Sequence, residues 1–216
     1  MSAKNAVTRK LQRLATRDIA RDIDENLDFI MAFLENPLHV GAISPSSPHL
    51  ANAMTKDLHP NEQNTVLEIG VGTGAITKFI KRKLPNTRCY LGIELNQKFV
   101  EILRKKFPDL LFIEGDARYA TKIAQEANLG RVGYIISSLP FTSLPKDLSE
   151  EILNEMDKFM KEGCIFRTFQ YAHCYYLNSA VWFRKYMNAR YGKCEKSSLI
   201  LKNMPPAYTL TWKSQV

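Results

Sequence analysis

Cysteine is scarce in this chain. Only Cys89, Cys164, Cys174 and Cys194 occur among 216 residues, and no two stand at C-x-x-C spacing. That argues against a zinc site, so no metal is expected. Cys89 and Cys164 fall in apolar strand-like runs and read as small buried hydrophobes. The cysteine usage leads to the expectation of a reducing, cytoplasmic compartment. Long apolar runs are also lacking. None approaches the roughly 20 residues of a membrane-spanning helix, and the amino terminus has no uninterrupted apolar segment of the signal-peptide kind. There is no internal repeat, low-complexity tract or composition break that would mark a linker. Glycine is sparse as well, with ten in all, yet three of them fall within five residues at Gly70, Gly72 and Gly74.

The length suits one domain with a substantial core. Thirty Lys and Arg against 22 Asp and Glu leave a formal charge of +8. An excess of that size fits a polyanionic partner, either nucleic acid or an acidic membrane surface, or else a generally basic solvated face. The basic residues are grouped. Lys4, Arg9, Lys10, Arg13, Arg17 and Arg21 form an early set. Arg167, Arg184, Lys185, Arg190, Lys193, Lys196, Lys202 and Lys213 form a late one, and Asp22, Asp24, Glu25 and Asp28 make an acidic patch between them. Residues 6–34 carry one apolar stripe at steps of three to five (Val7, Leu11, Leu14, Ile19, Ile23, Leu27, Ile30, Leu34), with a basic opposite face over the first half. That predicts an amphipathic helix, lying either on an anionic membrane or against the domain. The expected organisation is an amino-terminal helical extension over residues 1–36 and one domain over 37–216.

Beyond Pro37 the chain punctuates itself. Ser47 before Pro48 predicts a capped helix running to about Leu58. Strand and helix patterns then alternate: a strand from Val66, an amphipathic stretch over Ala75–Leu84, a strand from Cys89 to Glu94, a helix over Gln97–Phe107. A strand over Leu110–Glu114 follows, then a helix over Thr121–Asn128, a strand over Val132–Ser137, a helix over Ser149–Met160 capped by Ser149, and a strand over Cys164–Gln170. A helix over Ala180–Tyr191 stops at Gly192. Leu199–Lys202 and Ala207–Trp212 read as a closing strand pair. Such alternation predicts an α/β fold, a seven-stranded and mostly parallel sheet with helices on both faces.

In sheets of that kind ligands bind beyond the carboxyl ends of the strands, and the marked residues fall there. Val66-Leu67-Glu68-Ile69-Gly70-Val71-Gly72-Thr73-Gly74 is a strand running into a glycine turn. Glu68 replaces the apolar residue usual before a dinucleotide turn, and the glycines alternate at a spacing of two. Glu94 ends the second strand roughly 20 residues on, where a carboxylate accepts from ribose hydroxyls. Asp116 follows the third strand and Ser138-Leu139-Pro140-Phe141 the fourth. Together these resemble the Rossmann-like methyltransferases that use S-adenosyl-L-methionine, whose first motif reads E/D-x-G-x-G-x-G. A nicotinamide site or a structural turn is the competing reading of the glycines alone. The resemblance implies that Gly70, Gly72 and Gly74 admit the methionine end and that Glu68 orients its amino group. It further implies that Glu94 takes the ribose, Asp116 the adenine amino group and Ala117 the ring, with Ser46, Leu95 and Ser138 completing the cofactor-binding set. Asp116 can equally be a turn acid before a helix.

A narrower likeness rests on Pro37–Ser47 (P-L-H-V-G-A-I-S-P-S-S), on Ser138-Leu139-Pro140-Phe141 and on Asn203-Met204-Pro205-Pro206-Ala207. These look like the bacterial phospholipid N-methyltransferases, which convert phosphatidylethanolamine toward phosphatidylcholine. That family is related to the ribosomal-RNA adenine dimethyltransferases. The latter usually carry asparagine at the place of Ser138 and add a helical carboxyl-terminal domain, so the resemblance leans to lipid. It implies a peripheral enzyme at the inner face of the cell membrane, with a phospholipid substrate and no nucleic-acid partner. Phe141 is expected to face the target amine, with Tyr171 and His173 as further catalytic candidates in an aromatic wall that includes Tyr175 and Tyr176. Phe141 packed in the core is the plain alternative. A ribosomal-RNA adenine methyltransferase and a non-catalytic module binding S-adenosylmethionine are the alternative functions.

Overall fold

A computed structural model describes residues 46–214. The expected amino-terminal helix over residues 6–34, and with it the boundary at residue 36, lies outside the described residues.

The first helix, α1 (Pro48–Met54), starts as its sequence predicts, with Ser47 Oγ accepting from the Leu50 N–H at 3.2 Å and Pro48 in the first turn. It ends a turn earlier than Leu58, at Thr55, whose hydroxyl donates back to the Ala51 carbonyl. Then β1 (Thr65–Ile69) is buried along its whole length. A strand covered on both faces is what a central parallel strand requires. The helix after the glycine turn, α2, is short (Thr77–Lys81). Next come β2 (Tyr90–Glu94), α3 (Gln97–Lys106), β3 (Phe112–Glu114) and α4 (Ala120–Glu126). They are followed by β4 (Val132–Ser137), α5 (Lys146–Met160), β5 (Ile165–Tyr171) and α6 (Asn178–Tyr191). A two-residue β6 (Glu195–Lys196) and β7 (Ala207–Lys213) complete the set.

The strand order is β3-β2-β1-β4-β5-β7-β6. The first five run parallel, while β7 lies antiparallel to β5 and β6 antiparallel to β7. The order reverses between β1 and β4, so helices leave in opposite directions there and a crevice opens at the carboxyl ends of those strands. Side chains alternate across the sheet. Leu67 and Ile69 pack with α4, α5 and α6, against Leu148, Ile152, Met156 and Phe183. Val66 packs on the other face, with Leu50, Ile80 and Leu103 from α1, α2 and α3. That two-residue period decides where Glu68 goes.

Three further details differ from the sequence reading. Ser149 does not cap α5. Pro145 is extended (φ −51°, ψ 143°) and launches the helix one turn earlier, and the Ser149 N–H already bonds the Pro145 carbonyl at 2.9 Å. The strand paired with β7 is Glu195–Lys196, whereas Leu199–Lys202 contributes only the bridge of Ile200 to Ala207. Arg167, counted among the late basic residues, is buried in β5. It donates to Thr211 Oγ1 at 2.9 Å and to the Met54 carbonyl at 3.2 Å, closing the end of α1 instead of serving a surface. Gly192 ends α6 in the left-handed region at φ 79°, as expected.

Candidate active site

The glycine turn leaves β1 with Gly70, Gly72 and Gly74 at φ 69°, 57° and 75°. A side chain is strained at each, and the three differ in what surrounds them. A Cβ on Gly70 would stand 2.9 Å from Leu139 Cδ2, and one on Gly74 2.7 Å from the Phe107 ring. At Gly72 nothing lies within 4 Å, so its open side faces free space. Glycine is thus required at Gly70 and Gly74 by packing as well as backbone, and at Gly72 by backbone conformation alone.

The turn is tied to β2 by Glu94. Its two carboxylate oxygens accept from the Gly72 N–H at 2.7 Å and the Asn96 N–H at 3.0 Å. Burial raises its pKa, and these backbone donors pull it back down. Asn96 caps α3 through the Lys98 N–H, which fixes the loop after Glu94. Each Glu94 oxygen keeps a second lone pair for a further donor.

After β3, Asp116 caps a single 3₁₀ turn over Ala117–Tyr119, accepting from the Arg118 N–H at 2.8 Å. The Arg118 guanidinium grips the other oxygen at 3.0 and 2.7 Å and reaches Glu151 of α5 at 3.0 Å. These carboxylates raise the Arg118 pKa further. Asp116 is therefore both a turn acid and a carboxylate oriented from behind. After β4, the Ser138 N–H bonds the Ile69 carbonyl at 2.9 Å. That locks the Ser138–Pro140 loop onto the end of β1.

These loops line a cleft that opens to solvent, with about 540 Å³ of free space when the solvent at its mouth is counted. Its lining includes Gly70, Glu94, Leu95, Asp116, Ala117 and Ser138, six of the residues expected to bind a cofactor. Leu139, Pro140 and Ile152 also line it. Leu139 and Pro140 belong to the Ser138–Phe141 segment already marked in the sequence, whereas Ile152 carries no signal beyond apolarity, and only the fold shows that it is not ordinary core.

The other expected residues lie outside this lining: Gly72 stands open on the turn beyond Gly70, and Gly74 is packed against Phe107 and Leu103 of the α3 region. Glu68 does not line the cleft. It points to the opposite face of β1 from Ile69, is wholly buried, and accepts from Tyr90 Oη at 2.5 Å and Thr77 Oγ1 at 2.8 Å through one oxygen. Its other oxygen has no partner among the described residues. Burial lifts its pKa to about 7, with the hydroxyl donors opposing and the Glu94 charge adding to the rise. Glu68 thus braces α2 against β1 behind the glycine turn. Phe141 is also placed differently. Its ring is buried and stacked on Phe183, with centroids 4.7 Å apart and planes at 18°. The reason is the turn closed by Pro140, whose carbonyl accepts from the Ser143 and Leu144 N–H groups, leaving Leu139 and Pro140 at the cleft. Ser46, half-buried at the start of the described residues, is not a lining residue. Tyr171, the last residue of β5, and His173 just after it stack on each other at 5.8 Å. They are at the same end of the sheet but outside the cleft lining, with Tyr171 half-buried and His173 exposed.

The donor set fits S-adenosylmethionine. Room beside Gly72 suits an aminoacyl chain, the Glu94 carboxylate suits a ribose diol, and a braced Asp116 next to Ala117 suits a planar base with an exocyclic amine.

Comparison with known proteins agrees with the geometry. Residues 66–163 match the model of a family described as a methyltransferase domain. The ornithine lipid N-methyltransferase of Singulisphaera acidiphila is 30% identical over 127 residues, 57% of this chain and 66% of that protein. Ribosomal RNA small subunit methyltransferase A of Chlorobium phaeobacteroides is 32% identical over 95 residues, 42% of this chain and 34% of its own length. The chain thus spans just under two thirds of the first of these relatives and about a third of the second. Among solved structures, magnesium protoporphyrin IX methyltransferase from Synechocystis, with S-adenosylmethionine bound, superposes with a TM-score of 0.52. It is 12% identical and covers 92% of this chain and 83% of that one. The fold is that of the Rossmann-like S-adenosylmethionine-dependent methyltransferases, as the strand alternation and the glycine turn predict.

Proposed function

We propose that this chain uses S-adenosylmethionine to methylate the amine of a phospholipid head group: phosphatidylethanolamine and its mono- and dimethyl intermediates, at a membrane surface. The observation that carries the lipid assignment is the 30% identity to a lipid N-methyltransferase over 127 residues. The cofactor assignment stands on the methyltransferase domain of residues 66–163 and on the cleft.

Bound in the cleft, the sulfonium supplies a methyl group already activated for in-line displacement by a nitrogen lone pair. The chain's residues position and desolvate. Gly72 and Glu94 hold the cofactor's aminoacyl and ribose side, and Asp116 and Ala117 hold the adenine. Leu139, Pro140 and Ile152 wall the cleft with apolar surface. An apolar wall disfavours the ammonium form of the acceptor, which must lose a proton before its nitrogen can attack. His173 and Tyr171, at the same end of the sheet, are the groups through which that proton would leave, directly or through water. Alignment then accounts for most of the rate. The segment 6–34 remains a proposed amphipathic anchor.

The second reading, methylation of ribosomal RNA adenine, rests on the match to the Chlorobium enzyme. One experiment separates them. Labelled S-adenosylmethionine is incubated with the protein and either anionic liposomes containing phosphatidylethanolamine or ornithine lipid, or unmodified ribosomal RNA. Label in lipid is expected. Label in RNA alone rejects the lipid assignment, and label in neither favours a binding module.

A further inference from the structure

Two loops meet at the carboxyl end of the sheet, on the side of β5 and β7. One leaves β5 at residue 171. The other leads into β7 and reaches that end because β7 runs antiparallel to β5, with Ala207 opposite Tyr171. They are stitched together. The Ala172 N–H donates to the Pro206 carbonyl at 2.7 Å, and the Tyr175 and Tyr208 rings pack edge to face at 5.1 Å. What they present outward is apolar. Tyr176 is 84% exposed, Leu201 and Met204 are each 70% exposed, and Leu177 and Leu199 are exposed beside them. Single exposed apolar residues are ordinary, but five on two joined loops at one end of a fold are not.

The rim of this tip is cationic. Lys196 Nζ lies 4.8 Å from the Tyr175 ring centroid and 4.5 Å from that of Tyr208, the Arg184 guanidinium sits 3.8 Å from the Tyr175 centroid, and Lys202 is exposed next to Leu201. Between Tyr171 and Leu210 the only acid is Glu195, which is paired with Lys213 at 2.7 Å. The Ser47 N–H also bonds Asn203 Oδ1 at 2.9 Å, which ties the segment before α1 to this same loop.

We infer that the tip formed by residues 175–177 and 199–204 is a docking surface for an anionic phospholipid bilayer. Leu201, Met204 and Tyr176 enter the interfacial region, and Lys196, Lys202 and Arg184 meet the lipid phosphates. Apolar side chains ringed by cations match that boundary, where hydrocarbon and anionic head groups are adjacent. Because the tip and the cleft share one end of the sheet, docking turns the cleft mouth toward the head groups. The inference builds on the lipid reading of the function and goes beyond it, since it assigns a second surface, within the folded domain, besides the proposed amino-terminal anchor.

The test uses the full-length chain and sedimentation with vesicles of phosphatidylglycerol and phosphatidylcholine, against phosphatidylcholine alone. The double variant Leu201→Asp, Met204→Asp is expected to lose at least tenfold in partitioning to the anionic vesicles. Lys202→Glu is expected to lose about fivefold or more at low salt. In the Leu201→Trp variant, lipids brominated on their acyl chains should quench the new indole. Unchanged melting temperature and S-adenosylhomocysteine binding establish that these variants are folded. Wild-type partitioning by the double variant, or an unquenched indole, overturns the inference. So does a tip that governs retention of RNA but not of vesicles. Methyl transfer to a short-chain amine lipid in neutral detergent micelles is measured alongside. Failure there with tip-dependent vesicle binding intact would remove the substrate assignment and leave the docking surface standing. Transfer intact with tip-independent binding would do the reverse.

Discussion

Replacing Glu68 by glutamine should shift stability in the variant's favour as pH rises, by an amount that grows between the unfolded pKa of 4.5 and the folded value of about 7 and is constant above it. The carboxyl is wholly buried between β1, Tyr90 and Thr77, with one oxygen unpartnered. Its pKa rises from the ordinary 4.5 to about 7. The folded state therefore holds a proton between those values that the unfolded chain releases. Stability is greatest below about pH 4.5 as far as this group is concerned, and is lost as pH climbs toward 7. At 1.36 kcal/mol per unit, the loss from pH 5 to pH 8 comes to about 2–3 kcal/mol. Glutamine keeps an oxygen for the Tyr90 and Thr77 hydroxyls and cannot ionise. Any fixed cost of its amide group is the same at both pH values and cancels in the comparison. Urea unfolding of both proteins at pH 5 and pH 8 measures the difference. In a domain of this size it corresponds to a shift in relative Tm of roughly 5–10 °C. An unchanged wild-type-to-variant gap across that range would show that Glu68 is ionised in the folded protein, and the buried-acid account would fall.

Glu94→Gln replaces an acceptor that faces two backbone N–H groups by one that must turn a donor toward one of them. Charge-assisted bonds of this kind are worth about 1.5–3 kcal/mol, so S-adenosylhomocysteine binding in calorimetric titration should weaken at least tenfold. Gly72→Val meets no neighbour but occupies the left-handed region and the open space beside the turn, where the cofactor's aminoacyl chain is proposed to lie, so cofactor binding should be lost, with about 1–2 kcal/mol of stability; intact binding would exclude Gly72 from the cofactor's path. Phe141→Ala should cost about 3–5 kcal/mol in denaturant unfolding, because it opens a cavity beside Phe183, whereas His173→Ala should leave stability unchanged and lower methyl transfer.

The order of strands and helices was legible in the chain because each element carries its own local physics. The alternation of buried runs, the Ser47-Pro48 start, the three close glycines and Gly192 are short-range signals, and they place Gly70, Glu94, Asp116 and Ser138 at strand ends without any knowledge of the fold. The early start of α5 escaped because Ser149 has the chemistry of a cap and the extended Pro145 was the stronger signal.

What the chain alone determined is the identity of the loops at the carboxyl ends of the parallel strands, and hence the class of ligand they can hold. Which way a side chain points within those loops was left to tertiary structure. Glu68 and Ile69 are neighbours in sequence, yet the pleat sends one to the α2 face and the other to the cleft. Phe141 follows the cleft residue Pro140 directly, but Phe183, 42 positions later, supplies the ring it stacks on. Arg167 reads as one more surface cation until Thr211 and the end of α1 close around it. In each case the deciding partner is distant along the chain, and the gain from burying or pairing the group exists only once the sheet has brought the two together.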